Sequence, residues 1–197
     1  MGSLVRQRTY VASLIDESGS MVGLKREVVL GYNDYLQMLR ETPAEIRAAL
    51  TLFDTTVTEV YTGVPVMEAA GLEGHYHPEH GGSTALYDAV GTTVYHLEKI
   101  ADGQDRVLVI IMTDGEDNAS KEMTLAKVKA LIGAKEATGK WSFIFLGTDI
   151  RTGQKMGINT VLALTATGEG VRAALAEVTE RAHRFLLTDG SQTIFSA

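Results

Sequence analysis

Apolar residues fall along this chain in two alternating rhythms: short solid blocks, and stripes that return at every third or fourth position. The blocks are Tyr10–Ile15, Val107–Met112 and Trp141–Leu146. Runs this short, apolar on both faces and rich in β-branched and aromatic residues, read as buried strands of a parallel sheet covered by helices. The stripes read as helices. Met21, Leu24, Val28, Tyr32, Tyr35 and Leu39 mark one face of a helix starting at Met21. Thr42-Pro43 ends it, because the residue before a proline is steered out of the α region. Leu86, Val90, Val94 and Leu97 mark a second helix, opened by Thr84. Leu125, Val128 and Ile132 mark a third, which Ser120 is placed to cap. Val171, Leu175, Val178, Ala182 and Phe185 mark the last, from about Thr167.

Between the first two helices, Leu50–Phe53 and Val57–Tyr61 are short strand runs joined only by Asp54-Thr55-Thr56. So short a link requires an antiparallel hairpin. Residues 63–83, rich in glycine and histidine, read as a loop crossing the surface. A helical turn near 151–157 and a strand Thr160–Leu164 follow, and the tail from Asp189 has no pattern. Strands alternating with helices predict an α/β fold, a doubly wound, Rossmann-like three-layer sandwich. Its sheet is expected to be mostly parallel, with one antiparallel edge strand. No internal repeat breaks the series, and 197 residues fit one domain with a core over about 8–187.

Charge and cysteine usage remove several functions. The net charge is −7 and no long basic run occurs, so a nucleic-acid footprint is not supported. Cysteine is absent, which excludes disulfides, thiol catalysis and thiolate metal sites. Met1–Arg8 has no apolar stretch of signal-peptide length, and no run is long enough to span a bilayer. The expectation is a cytoplasmic protein without a membrane partner.

In doubly wound sheets, ligands sit outside the carboxyl ends of the strands. Two acidic loops fall there: Asp16-Glu17-Ser18-Gly19-Ser20, and Thr113-Asp114-Gly115-Glu116-Asp117-Asn118. An aspartate with hydroxyls two and four residues on places three hard oxygens on one short loop. With the two strands as neighbours, Asp114 faces that loop and Thr84 joins from the side. The cluster Asp16, Ser18, Ser20, Thr84 and Asp114, with a charge of about −2, suits Mg²⁺, and Mn²⁺ or Ca²⁺ are also hard enough. It leaves a coordination position for an outside ligand.

The same segments resemble a known family. Asp16-Glu17-Ser18-Gly19-Ser20 resembles the DxSxS motif of von Willebrand factor A (vWA) domains. Gly82-Ser83-Thr84-Ala85-Leu86-Tyr87-Asp88-Ala89 resembles that family's second motif, and Thr113-Asp114-Gly115 with Asn118 its third. All three occur in order, and the resemblance covers roughly residues 8–187. It implies a metal-ion-dependent adhesion site (MIDAS). Ser18 and Ser20 would bind the metal directly, Thr84 directly or through water, and Asp16 and Asp114 mostly through water. The ion, left electrophilic, would accept a carboxylate from a protein partner. The resemblance thus implies recognition without turnover, in a stand-alone member of the kind found in bacteria and their phages. Glu17, Asp117, Asn118, His77 and His80 are expected on the rim. Asp88, on the first helical turn, is expected to pair with loop backbone or the helix dipole.

Two alternatives compete. His75, His77 and His80 are close enough in sequence to bind zinc or nickel, but short histidine tracts are commonly incidental, and a solvated loop is the expectation. The strongest enzyme reading is a Mg²⁺-dependent phosphohydrolase of haloacid-dehalogenase-like type with Asp16 as nucleophile. That chemistry needs a second aspartate two residues on as general acid. Position 18 is serine. Gly139-Lys140-Trp141 is no phosphate-binding loop, and Gly81–Ala85 lacks the final glycine of a nucleophile elbow. The expectation is a binding module, not an enzyme.

Overall fold

The computed structural model describes residues 7–188. Its strands are β1 (Thr9–Asp16), β2 (Ile46–Phe53), β3 (Val57–Pro65), β4 (Arg106–Thr113), β5 (Trp141–Gly147) and β6 (Thr160–Ala163). They form a six-stranded sheet in the order β3-β2-β1-β4-β5-β6. Every pairing is parallel except that of β2 with β3, the antiparallel hairpin expected from its short link. The strand order reverses between β1 and β4, so the switch point lies between the two strongest apolar blocks.

Helices α1 (Lys25–Glu41), α2 (Leu86–Ile100), α3 (Leu125–Glu136), α4 (Ile150–Lys155) and α5 (Gly168–Leu187) flank the sheet. Alternation along β4 shows why its sequence is apolar on both faces. Leu108, Ile110 and Met112 enter one core with Val28, Tyr32 and Leu36 of α1 and Val171 and Val178 of α5. Val107, Val109 and Ile111 enter the other, with Val90 and Val94 of α2 and Val128 and Ile132 of α3. Gly31 lets α1 approach α5 closely; a Cβ there would lie 2.4 Å from Leu175 Cδ1. At the far end of α1, Thr42 leaves the helical region and its hydroxyl donates to the Met38 carbonyl at 2.9 Å.

Several boundaries differ from the sequence reading. After Ser18 the chain winds as a 3-10 helix over Gly19–Leu24, and α1 itself begins at Lys25 rather than Met21. The apolar stripe continues through the change of pitch, with Met21 and Leu24 buried. β2 starts at Ile46, not Leu50, and β3 runs past Tyr61 to Pro65. Gly63, with φ +71, carries β3 through a left-handed residue and so hid the strand's second half. α2 starts at Leu86, two residues after Thr84. Ser120 does not cap α3; Thr124 does, its hydroxyl accepting from the Lys127 amide. The tail from Asp189 lies outside the described residues. Among the described residues, no helix is long and apolar enough to cross a membrane.

Candidate metal centre

Three loops meet beyond the carboxyl ends of β1 and β4. Asp16, the last residue of β1, is fully buried. Its Oδ1 accepts the Ser18 amide at 2.7 Å, and its Oδ2 accepts the hydroxyl of Thr113, the last residue of β4, at 2.5 Å. Burial pushes the Asp16 carboxyl above its ordinary range; the Thr113 and Ser18 bonds oppose that, and nearby Asp114 adds to it. Ionisation here is therefore costly without a compensating cation.

The hydroxyls continue the chain of oxygens. Ser18 Oγ, buried, lies 3.1 Å from Ser20 Oγ, and the Ser20 hydroxyl donates to Asp114 Oδ1 at 2.7 Å. Asp114 is fixed from behind, its carbonyl accepting the Thr148 hydroxyl at 2.7 Å. Thr84, also buried, is clamped by Asn118. The Thr84 amide donates to Asn118 Oδ1 at 2.7 Å, and its carbonyl accepts the amides of Asn118 and Ala119 at 2.9 and 3.1 Å. A Cβ on Gly115 would lie 3.6 Å from Thr84 Oγ1, so that hydroxyl rests against the Asp114-Gly115 turn. All five residues of the expected cluster thus sit on the converging loops.

The residues expected on the rim make the following contacts. The Glu17 carboxylate accepts the His77 amide, and its own amide donates to the Phe53 carbonyl at 2.7 Å. Asp117 Oδ1 accepts the Tyr87 amide at 3.1 Å and the Ser120 hydroxyl. Half-buried Glu17 and Asp117 and exposed Asn118 thus tie the loops together through these bonds. Asp88 is structural as expected, accepting the amides of Lys121, Glu122 and Met123 at 2.7, 3.1 and 2.7 Å. His77 and His80 stack with ring centroids 6.0 Å apart. The two nitrogens of His77 face Glu79 Oε1 at 3.4 Å and the Gly74 carbonyl at 3.2 Å. Among the described residues no three of His, Cys, Asp or Glu gather as a metal site.

Other residues matter that the sequence reading did not single out. Asp54 and Thr55, between β2 and β3, hold the segment that delivers Thr84. The Gly82 amide donates to Asp54 Oδ2 at 3.1 Å, the Ser83 amide to Thr55 Oγ1 at 2.9 Å, and the Ala85 amide to the Asp54 carbonyl at 2.6 Å. Their one sequence signal is an Asx turn, the Thr56 amide donating to Asp54 Oδ1 at 2.8 Å. Tyr76 is buried, and its hydroxyl donates to the Asp16 carbonyl at 2.8 Å. Burial pushes its phenol well above the ordinary value, so it stays a proton donor at all working pH. Nothing in Gly-His-Tyr-His announces that role.

The donor set is made of carboxylate and hydroxyl oxygens, without nitrogen or sulfur, which fits a hard divalent cation. Among the described residues neither Asp16 nor Asp114 has a salt-bridge partner. The geometry lends nothing to the phosphohydrolase reading. Asp16 is buried with both oxygens engaged, and the residue two positions on carries a hydroxyl.

No protein-family model and no curated protein matches the sequence. Solved structures match in fold. A von Willebrand factor type A protein from Catenulispora acidiphila aligns with 90% of this chain and 43% of its own, at TM-score 0.65 and 15% identity. Proximal thread matrix protein 1 from the mussel byssus, with a zinc-occupied MIDAS motif, aligns with 90% of this chain and 46% of its own, at TM-score 0.66 and 14% identity. The pilus adhesin SpaC from Lactobacillus rhamnosus GG aligns with 93% of this chain and 31% of its own, at TM-score 0.68 and 13% identity. This chain therefore spans less than half the length of each of them. Identities this low establish likeness of fold alone, and the chain has the fold of a von Willebrand factor A domain.

Proposed function

We propose that this chain is a protein-binding module whose recognition depends on a divalent metal, Mg²⁺ or alternatively Mn²⁺ or Ca²⁺. The carrying observation is the relay of oxygens from Ser18 through Ser20 to Asp114, beside a buried Asp16 and, among the described residues, without a salt-bridge partner for either aspartate. The hydroxyls of Ser18, Ser20 and Thr84 would hold the ion, and Asp16 and Asp114 would orient its water. When bound, the ion supplies Lewis acidity toward a partner's carboxylate. The chain's own residues do the rest: Thr113 and Tyr76 hold Asp16 in place, Asn118 sets Thr84, and Thr148 sets Asp114. The vWA fold and the zinc-occupied MIDAS of the mussel protein support this reading, as does the adhesive role named for the pilus protein. No residue is assigned to catalysis.

Calorimetric titration of Mg²⁺, Mn²⁺ and Ca²⁺ into metal-stripped protein tests it. Saturable binding to the wild type that disappears in a Ser18→Ala/Ser20→Ala variant is expected. The absence of saturable binding by all three ions, or binding indifferent to the variant, would overturn the reading.

A further inference from the structure

On its way from β3 to Thr84 the segment Leu72–Gly82 crosses the Asp16–Ser20 loop and holds it at several points. Ahead of Ser18, the Tyr76 hydroxyl donates to the Asp16 carbonyl at 2.8 Å, and the His77 amide donates to the Glu17 carboxylate. Between the two serines, the Gly19 amide donates to the Gly82 carbonyl at 3.3 Å. Beyond Ser20, the Lys25 ammonium donates to Glu79 Oε1 at 2.8 Å. Ser18 and Ser20 therefore lie inside a bracket made by one segment.

The bracket has little core of its own. Only Leu72, Tyr76 and Pro78 within it are buried, and its one regular element is the 3-10 turn Pro78–His80. The bonds to Glu17 and Lys25 lie at the surface, where water competes for them. An exposed ion pair such as Lys25–Glu79 holds little by itself. Segments with few buried contacts and exposed bonds open more readily than the sheet beneath them. The Tyr76 bond differs, because it is buried.

Opening would act on the site's spacing. Gly81 rests so closely on the Glu17 carbonyl that a Cβ would lie 1.9 Å from its oxygen. Thr84 is held from its other side, its amide donating to Asn118 Oδ1. Lifting the segment thus leaves Thr84 on Asn118 and frees the serine loop from its restraint beside it.

We propose that Leu72–Gly82 is a latch that regulates the metal centre, with Tyr76 as the positioning residue that couples the two. Latching fixes the serine hydroxyls against Thr84, and a bound ion holds the latch shut. The latch presupposes the metal-dependent reading above and adds to it a control by a segment that supplies none of the five site residues. Coupling of this kind is reciprocal, so whatever latching adds to metal affinity the metal adds to latching.

Amide hydrogen exchange on the full chain, metal-free and in saturating Mg²⁺, tests the latch beside calorimetry. The His77 and Gly19 amides are expected to exchange about tenfold more slowly with the ion, within the usual range for coupled sites. The Gln104 amide is the control. It too donates to an exposed carboxylate, Asp102 Oδ1 at 2.8 Å, but precedes β4 at the opposite end of the sheet, and its rate should not change. Tyr76→Phe keeps the buried ring and removes the donor. Its Mg²⁺ affinity should fall about tenfold, the low end for a lost orienting partner, and the slowing at His77 should shrink with it. Lys25→Gln loosens the latch from the surface without disturbing the core. Removing a positive charge near a cation site would by itself raise Mg²⁺ affinity, whereas a loosened latch should lower it about two- to fivefold, the scale of one exposed ion pair. Exchange at His77 and Gly19 indifferent to Mg²⁺, in protein that binds the ion calorimetrically, would overturn the latch and leave the metal site standing. So would Tyr76→Phe or Lys25→Gln binding Mg²⁺ as tightly as wild type. Failure of the wild type to bind Mg²⁺, Mn²⁺ or Ca²⁺ at all would remove both readings.

Discussion

The Thr113 hydroxyl donates to Asp16 Oδ2 at 2.5 Å, and this one contact ties together the carboxyl ends of two neighbouring parallel strands. Asp16 has no exposed surface from which water could replace the bond. Thr113→Val keeps the side chain's shape and removes its donor, leaving a buried carboxylate oxygen unpaired. The expected cost is about 1–3 kcal/mol in urea unfolding. On the proposed metal-dependent reading, Mg²⁺ affinity should fall about 10- to 100-fold, because an orienting partner behind Asp16 has been lost. Calorimetry on the folded variant measures the second effect apart from the first.

Gly81 sits where two site loops touch. A Cβ there would lie 1.9 Å from the Glu17 carbonyl oxygen, a backbone atom that cannot swing aside. Gly81→Ala must therefore push the Thr84 segment away from the Asp16 loop. Overpacking of this kind costs about 1–3 kcal/mol. Gly103→Ala, where a Cβ meets nothing within 4 Å, is the control and should change stability little. Thermal melts of the two variants side by side check the contrast.

Asp54 makes part of the site's support depend on pH. Burial raises its carboxyl, but the amides of Thr56 and Gly82 and the Thr56 hydroxyl outweigh that and leave it below its ordinary 3.8. A carboxyl lowered on folding stabilises the fold above the unfolded value, and that contribution is lost as pH falls through the folded value. Wild type should exceed Asp54→Asn in stability by up to about 1 kcal/mol near neutral pH, a figure kept small by solvent screening. The gap should close below pH 3.8. Urea unfolding of both proteins across that range measures it.

The strands at the switch point and the residues that converge there were legible because both signals are local. A run such as Val107–Met112 is apolar on both faces whatever surrounds it, and Asp16, Ser18 and Ser20 share one loop. The supports were not legible, because they act across long stretches of chain. Tyr76 reaches Asp16 from 60 residues away, and Asn118 clamps Thr84 from 34. No periodicity encodes either contact. Asn118 and Asp117 were expected on the rim because their position was readable, whereas their hydrogen-bond partners were not. Ser120 had the right chemistry for a helix cap but turns inward, its hydroxyl accepting the Asp88 amide at 2.9 Å and donating to Asp117, and Thr124 takes the cap.

On the proposed metal-dependent reading, a divalent ion should stabilise this fold measurably, because among the described residues buried Asp16 and neighbouring Asp114 have no salt-bridge partner. A ligand that binds only the folded state at 100 times its dissociation constant adds about 2.7 kcal/mol. For a chain of this size each kcal/mol raises the melting midpoint by roughly 2–4 °C. Saturating Mg²⁺ should therefore raise it by about 5–10 °C, and EDTA should reverse the shift. Asp114→Ala removes one of the two carboxylates and the acceptor of the Ser20 hydroxyl. That variant should melt at or above the metal-free wild type, because a repulsive charge is gone, and should respond to Mg²⁺ weakly or not at all. A wild-type midpoint indifferent to Mg²⁺, Mn²⁺ and Ca²⁺ alike would mean that the oxygens of this loop cluster serve the fold and not a metal.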